Sequence, residues 1–366
     1  MSLTASGRRL ALAGRSPEID WRILTGNVPA WPTPPPWRPL DWSKEADHYP
    51  ERGGSARLLE ALCVRERAQG TDIGPESMIV TNGGYDALSL AARHLYDRGV
   101  RRAVCAGPIL GTIARSLRQA GLEVVALDWD PFLADHGWMD MALGPEDLVY
   151  VNTPHNPTGA CLPDSASRAL LADRQRRGFR LVFDLIYDAF TFDPAAGGSP
   201  LAFVDDWHEV YAFNSFSKNY GAPGLRIGWL MAEPSATAEL AVRLEAERIA
   251  VSAGAQERAA DLCAYGNGPL VEAVRTGREV LLAWDSKHDL GLSRTQGGTQ
   301  AWADLGIGDA ESFADRLMAE DRIVLTTGAN YFPVRPRHVR LPLGLPPDDL
   351  EEALHLITAA RRRSSG

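Results

Sequence analysis

The stretch Val210-Tyr211-Ala212-Phe213-Asn214-Ser215-Phe216-Ser217-Lys218-Asn219-Tyr220-Gly221-Ala222-Pro223-Gly224-Leu225-Arg226-Ile227-Gly228-Trp229 places a polar cluster between two apolar runs. Val210–Phe213 reads as a strand buried on both faces, because its apolar residues are continuous and do not alternate. Residues 227–230 read the same way. Lys218 therefore lies in glycine-rich backbone between two strand ends, an unusual place for a solvated lysine. An amine there, close to Arg226 and an anion site, loses its proton readily and can attack a carbonyl to form a Schiff base.

Outward from this stretch the pattern repeats from about residue 56 to 232. Further apolar runs at 78–80, 103–105, 124–127, 148–151 and 181–183 read as buried strands. Between them, residues 85–98 put Leu88, Ala91, Ala92 and Leu95 on one face and stop at Gly99, a natural helix end; residues 164–177 read similarly. Strand-helix alternation predicts an α/β fold with a mostly parallel central sheet between helices. Such sheets bind ligands at the carboxyl ends of their strands. The polar clusters fall there: Thr81-Asn82-Gly83-Gly84-Tyr85, Asn152 through Gly159, Asp184-Leu185-Ile186-Tyr187, and Asn214 through Lys218. The Gly83-Gly84-Tyr85 turn opens a helix, and free N–H groups at a helix start attract phosphate. It matches neither dinucleotide nor phosphate-loop nucleotide motifs.

The chain has 366 residues, 45% hydrophobic and 23% charged, with a net charge of −9. That balance fits an ordinary globular protein and opposes a general nucleic-acid binder, which needs a basic footprint. No apolar stretch is long enough for a membrane span, and the first twenty residues are too interrupted for a secretory signal. Cys63, Cys105, Cys161 and Cys263 are scattered without metal-ligand spacing, so reduced thiols, no metal and a cytoplasmic location are expected. Residues 28–39 are too proline-rich for helix or central strand and read as a stiff connector. The nearby Trp21, Trp31, Trp37 and Trp42 are expected to pack into a core or interface, and the C-terminal RRRSSG to fray.

Read together, the motifs resemble those of fold-type-I pyridoxal-5′-phosphate enzymes of the class I/II aminotransferase superfamily. The likeness runs from about Gly26 to the last helix. SFSKNYGAPGLRIGW (215–229) is similar to the family's lysine motif, NPTG (156–159) to its asparagine motif and DLIY (184–187) to its aspartate-tyrosine motif. The resemblance implies that Lys218 forms the Schiff base with pyridoxal 5′-phosphate and shuttles the substrate proton. It implies that Asp184 pairs with the pyridine nitrogen, that Asn156 and Tyr187 bond the phenolic oxygen, and that Gly84, Tyr85, Ser215 and Arg226 hold the phosphate. Tyr49 resembles the tyrosine that reaches the cofactor phosphate of a neighbouring subunit, implying a homodimer with a shared active site. Arg340, with Arg335 and Arg337 as rivals, resembles the arginine that clamps the substrate carboxylate, and Gly26 the glycine stretch that folds over it.

The implied activity is transfer of an amino group between an L-amino acid and a 2-oxo acid with ping-pong kinetics. One departure bears on it: where the family carries an aromatic over the cofactor ring, Pro108-Ile109-Leu110 offers Leu110. This leaves a pyridoxal-phosphate lyase, decarboxylase or cyclase as an alternative. Leu185 stands where many relatives have glutamate. Glu51-Arg52 reads as a surface ion pair, and His155 and His338 flank motif residues. No second arginine marks a distal substrate carboxylate. The expected organisation is an N-terminal arm (1–39) lying with a small C-terminal α+β domain (241–366), and a large cofactor-binding domain (40–240). GGTQAWADLG and DRIVLTTGANYF read as strands of the small domain.

Overall fold

The computed structural model describes residues 5–39, 41–193 and 196–365. Seven strands form one sheet in the order Met78–Thr81, Gly228–Met231, Val210–Ser215, Arg180–Asp184, Asp147–Asn152, Arg102–Gly107, Glu123–Asp128. Six point the same way, and Gly228–Met231 is antiparallel to both of its neighbours. The fold is thus α/β with a mostly parallel sheet, and each of the seven apolar runs falls on one of these strands. Their burial on both faces explains the continuous apolar sequence: Val210 through Phe213 are all buried. Two helices end as the sequence predicts. Gly84–Asp97 buries Leu88 and Leu95 completely, each contributing about 1.5–3 kcal/mol, and the chain leaves it through Gly99 at φ +96°. Asp164–Arg177 closes on Gly178 at φ +76°, whose N–H bonds the Arg174 carbonyl.

Two clusters of buried side chains hold the chain together. One surrounds the seven-stranded sheet, from Leu58 to Leu262. The other contains Leu24, Tyr187 and Phe190 together with residues from Leu270 to Ala360. Leu185 belongs to the first and Tyr187 to the second, so the segment after strand Arg180–Asp184 crosses the seam between them. The second cluster includes an antiparallel sheet with His338–Pro342 between Gln300–Asp304 and Thr326–Thr327. GGTQAWADLG supplies one strand as expected. DRIVLTTGANYF supplies three short ones in three sheets: Ile323–Val324 pairs with Arg22–Ile23, Thr326–Thr327 joins the antiparallel sheet, and Tyr331–Phe332 pairs with Ile109–Leu110. The N-terminal helix Ala5–Ala13 is tied to Ala310–Asp321 by Arg9, which ion-pairs with Glu311 and Asp315.

Trp37 and Trp42 are 50% and 67% exposed on this chain, with the Arg258 guanidinium over the Trp37 ring, whereas Trp31 bonds the Tyr220 carbonyl at 2.9 Å. One expectation is corrected. The C-terminal arginines do not fray: the helix Pro347–Ser365 continues through them, because Arg361 bonds the His288 carbonyl and Arg363 pairs with Asp321. Gly366 lies outside the described residues. The connector 28–39 forms neither helix nor strand, and all four thiols are unpaired.

Candidate active site

Parallel strands deliver their C-terminal residues to one edge, and the register sets them side by side: Asn152 opposite Asp184, Asp184 opposite Phe213, and Ser215 and Thr81 on either side of Gly228. Above this edge lies a cavity of about 270 Å³. Of the sequence-derived residues, Lys218, Asp184, Tyr187, Asn156, Gly84, Tyr85, Ser215, Arg226 and Arg340 all line it, and so does Leu110. Tyr49 does not; it is 80% exposed on the surface of its own chain. Gly26 does not line the cavity either, but its neighbour Asn27 does. Arg335 and Arg337 are engaged elsewhere, with Asp128 and Asp304, which leaves Arg340 at the site. Arg52 pairs with Glu245 at 2.5 Å, away from the cavity lining. None of the four N-terminal tryptophans lines the cavity.

Lys218 projects from the short helix Phe216–Asn219. That turn is fixed from behind by Asp188, which accepts from Asn219 Nδ2 at 2.6 Å and Asn214 Nδ2 at 2.9 Å and pairs with buried Arg65. Burial, then the positive charges of Arg340 and Arg226, push the Lys218 amine down to about 7. It is therefore available as a neutral nucleophile and base near neutrality. Asp184 shows the opposite strain. Burial raises its carboxyl to about 7, against the hydrogen bonds from Tyr150 and the Ile186 N–H. Tyr150 donates to Oδ2 at 2.5 Å and Ile186 N–H to Oδ1 at 3.2 Å. Among the described residues no cation pairs with Asp184, so this carboxylate awaits a positive partner.

Two anion sites flank Lys218. At the cavity mouth, Arg226 Nη1 reaches Ser217 Oγ at 3.5 Å, and Ser217 bonds Ser215 Oγ at 3.0 Å. Beside them opens the helix Gly84–Asp97, whose first N–H groups have no intrahelical acceptor. Space for Arg226 depends on Gly83, at φ +88°: a Cβ there would sit 2.5 Å from Arg226 Nη2. At the other end, Arg340 is buried in the middle strand of the small sheet. Its Nη2 bonds the Thr25 carbonyl at 2.6 Å, its Nη1 the Tyr331 hydroxyl at 3.2 Å, and its Nε has no partner. Tyr331 passes its own proton to Asn156 Oδ1 at 2.9 Å. This turns Asn156 Nδ2 toward the Tyr187 hydroxyl, 3.4 Å away. Tyr187 oxygen thus accepts from Asn156 and, at 2.5 Å, from Asn27 Nδ2. With amide donors on its oxygen, the Tyr187 proton is left to point into the cavity.

Sequence reading missed Asn27, Tyr150, Ser217 and Tyr331. Ser217 stood inside the quoted lysine motif and Tyr150 two residues before Asn152, so proximity to motif residues was the available signal. Asn27 adjoins the nominated Gly26 and had the same signal, whereas Tyr331 comes from a distant chain segment and carried none.

The donor set fits a phosphorylated, aldehyde-bearing aromatic cofactor with a basic ring nitrogen. Arg226, the serine hydroxyls and the helix start suit a phosphate, Lys218 an aldehyde, Asp184 a protonated nitrogen, and Arg340 with its unpartnered Nε a substrate carboxylate. Among the described residues no His, Cys, Asp or Glu cluster could hold a metal ion, and no helix is long and apolar enough to cross a membrane.

Comparison with known proteins agrees. Residues 41–357 match the family model for aminotransferase class I and II. The chain is 51% identical over 364 residues to the 3-methylarginine biosynthesis aminotransferase ArgM of Streptomyces arginensis, covering 99% of this chain and 98% of that protein. It is 34% identical to the L-aspartate:5-guanidino-3-methyl-2-oxopentanoate transaminase of Pseudomonas syringae pv. syringae, covering 90% and 87%. The aspartate aminotransferase of Thermotoga maritima shares the fold at 22% identity, with a TM-score of 0.86 over 98% of this chain and 97% of that one. These relatives are transaminases and give the lyase, decarboxylase or cyclase alternative no support. The family is pyridoxal-phosphate-dependent, its substrates being amino and oxo acids. By sequence and by fold, then, the chain is an enzyme belonging to the class I and II aminotransferases.

Proposed function

We propose that this aminotransferase binds pyridoxal 5′-phosphate in the cavity around Lys218 and exchanges the amino group of an L-amino acid carrying a guanidino side chain with a 2-oxo acid. The observation that carries the reading is Lys218, held near neutrality between Arg226 and Arg340 with Asp184 in the same cavity. Gly84, Tyr85, Ser215 and Arg226, joined by Ser217, hold the phosphate. Asp184 pairs with the ring nitrogen, and Asn156 and Tyr187 donate to the phenolic oxygen. When bound, the cofactor supplies an electron sink for the negative charge left on the substrate α-carbon.

The chain's own residues do the rest. Arg340 clamps the substrate carboxylate through two N–H groups, with Gly26 and its neighbours closing over it. Lys218 Nζ would move the α-proton from the amino acid's α-carbon to the cofactor's aldehyde carbon in the first half-reaction, and move a proton from that carbon back to the α-carbon derived from the oxo acid in the second, giving ping-pong kinetics. The guanidino assignment is drawn from the names of the two relatives above 30% identity. It is supported by the aliphatic wall of Ile109, Leu110 and Ile113, which suits the stem of such a side chain. Tyr49, exposed and absent from its own cavity, is assigned to the phosphate of a second copy in a twofold homodimer. The arm 1–39, large domain 40–240 and small domain 241–366 stand as the proposed division, and the unpaired thiols fit the cytoplasm.

The test is mass spectrometry of the bound cofactor after incubation with single L-amino acids and no acceptor. Arginine and 3-methylarginine are expected to convert pyridoxal phosphate stoichiometrically to pyridoxamine phosphate. Conversion only by apolar or acidic amino acids overturns the guanidino reading. Consumption of substrate with the aldehyde form retained overturns transamination.

A further inference from the structure

We propose that Asn27 is a positioning residue for the reaction: its carboxamide stations the free Lys218 amine and the Tyr187 hydroxyl, and the segment carrying it is tied to Arg340. The inference rests on the roles given above to Lys218 and Arg340.

Asn27 is buried, and every hydrogen-bonding atom of its side chain is engaged. Oδ1 accepts from Lys218 Nζ at 2.7 Å. Nδ2 donates to the Tyr187 hydroxyl at 2.5 Å and to Gln300 Oε1 at 3.3 Å. The His155 carbonyl takes Gln300 Nε2 at 3.5 Å, which turns Gln300 Oε1 toward Asn27; that oxygen can only accept, so Asn27 presents Nδ2 to it and Oδ1 to Lys218. The backbone is anchored too: Thr299 Oγ1 donates to the Asn27 carbonyl at 2.7 Å, and Arg340 Nη2 to the Thr25 carbonyl at 2.6 Å.

Two consequences follow. Once the substrate has released it from the cofactor aldehyde, an amine with one N–H pinned by Asn27 keeps its proton-transfer direction, and proton transfer is sensitive to such orientation. Meanwhile the Tyr187 proton stays directed at the cavity, because Asn27 offers that oxygen a donor. A substrate carboxylate competes with the Thr25 carbonyl for Arg340 Nη2, so its arrival is felt two residues along the chain, at Asn27. The other charged or titratable groups lining the cavity with Lys218 are Arg340 in His338–Pro342, Arg226 after the turn Pro223–Leu225, Asp184 at the end of its strand, and Tyr85, Tyr150 and Tyr187.

The experiment compares full-length wild type with Asn27→Ala and Asn27→Asp. In the holoenzyme, exchange of the donor's α-hydrogen for deuterium is measured alongside KM. In the cofactor-free chain, the pH dependence of Lys218 acylation by acetic anhydride is read by peptide mass spectrometry. Asn27→Ala is expected to slow exchange about 10- to 100-fold while KM moves less than about threefold. Asn27→Asp, of the same shape, is expected to raise the Lys218 pKa by about one unit or more, since a carboxylate beside the amine favours its charged form. Exchange within about twofold of wild type and a Lys218 pKa unmoved in both variants overturn the proposal, as does lowered thermal stability with those two readouts unchanged. Where Asn27→Ala fails to fold, the isosteric Asn27→Asp decides alone. Absence of any half-reaction in wild type would instead overturn the cofactor reading, and the labelling of the cofactor-free chain would still report on Asn27 and Lys218.

Discussion

The Tyr150 hydroxyl donates to Oδ2 of Asp184 at 2.5 Å, with both side chains fully buried. The two oxygens of this carboxylate are thereby fixed, one by Tyr150 and the other by the Ile186 N–H. Tyr150→Phe removes a hydrogen bond that favours the ionised form, so Asp184 becomes harder to ionise and pairs less firmly with a protonated ring nitrogen. A fall in kcat of about tenfold is expected, with KM for the amino donor changed less, the bond lost being worth about 1.5–3 kcal/mol as one to a charged group. Steady-state kinetics check it; an unchanged kcat would show that Tyr150 only fills space.

Arg340 depends on Tyr331 in a comparable way. Arg340→Lys keeps a charge but loses the planar fork, so KM for the amino donor should rise about 100-fold while cofactor affinity stays within about twofold. Tyr331→Phe removes the hydroxyl that bridges Arg340 and Asn156, leaving only their direct 3.5 Å contact, and should raise KM by a smaller factor, about three- to tenfold. A cofactor titration beside the kinetics separates the two sites. Loss of cofactor binding in Arg340→Lys would move Arg340 to the wrong end of the cavity.

Gly83 tests the phosphate cradle. Gly83→Ala drives a Cβ to 2.5 Å from Arg226 Nη2 at a residue with φ +88°. The cofactor Kd of the apo-protein should rise at least about tenfold. Gly99→Ala is the control, since Gly99 also has positive φ (+96°) but nothing within 4 Å of its added Cβ. Equal loss in both variants would mean that backbone strain, not Arg226, is responsible.

Lys218 and Asp184 also make the cofactor-free protein sensitive to pH. The Lys218 pKa is lowered from 10.5 to about 7, so the fold disfavours the ammonium, and its destabilising effect is complete below pH 7 and vanishes as pH rises toward 10.5. Asp184 is raised from 3.8 to about 7, so its neutral form is favoured, and stability present below pH 3.8 is lost as pH climbs toward 7. Lys218→Met should therefore raise Tm of the cofactor-free chain by a few degrees at pH 6, with the gain shrinking by pH 10. Thermal melts at the two pH values read it, and a larger gain at pH 10 contradicts the assignment.

Much of this molecule is legible in its residues. Continuous apolar runs locate all seven strands of the main sheet, because a strand covered on both faces favours apolar residues along most of its length. Helix ends at Gly99 and Gly178 follow from the left-handed backbone that glycine tolerates. The polar clusters after the strands foretell the cavity, because parallel strands bring all their C-terminal ends to one edge. Lys218, Asp184, Asn156, Tyr187 and Arg226 could be nominated on that ground together with their motifs.

Only the tertiary structure decided the remainder. Asn27 reaches Lys218, 191 positions away in the chain, and Tyr331 reaches Asn156 across 175. Neither pairing shows in a local pattern, because long-range contacts are set by how two cores meet and not by periodicity. Arg340 is separated from its rivals by position: it lies in the buried middle strand His338–Pro342, while Arg335 and Arg337 precede that strand and pair with Asp128 and Asp304. Trp37 and Trp42 are exposed on their own chain, since an aromatic side chain prefers burial but the path of the chain determines whether its own core is within reach.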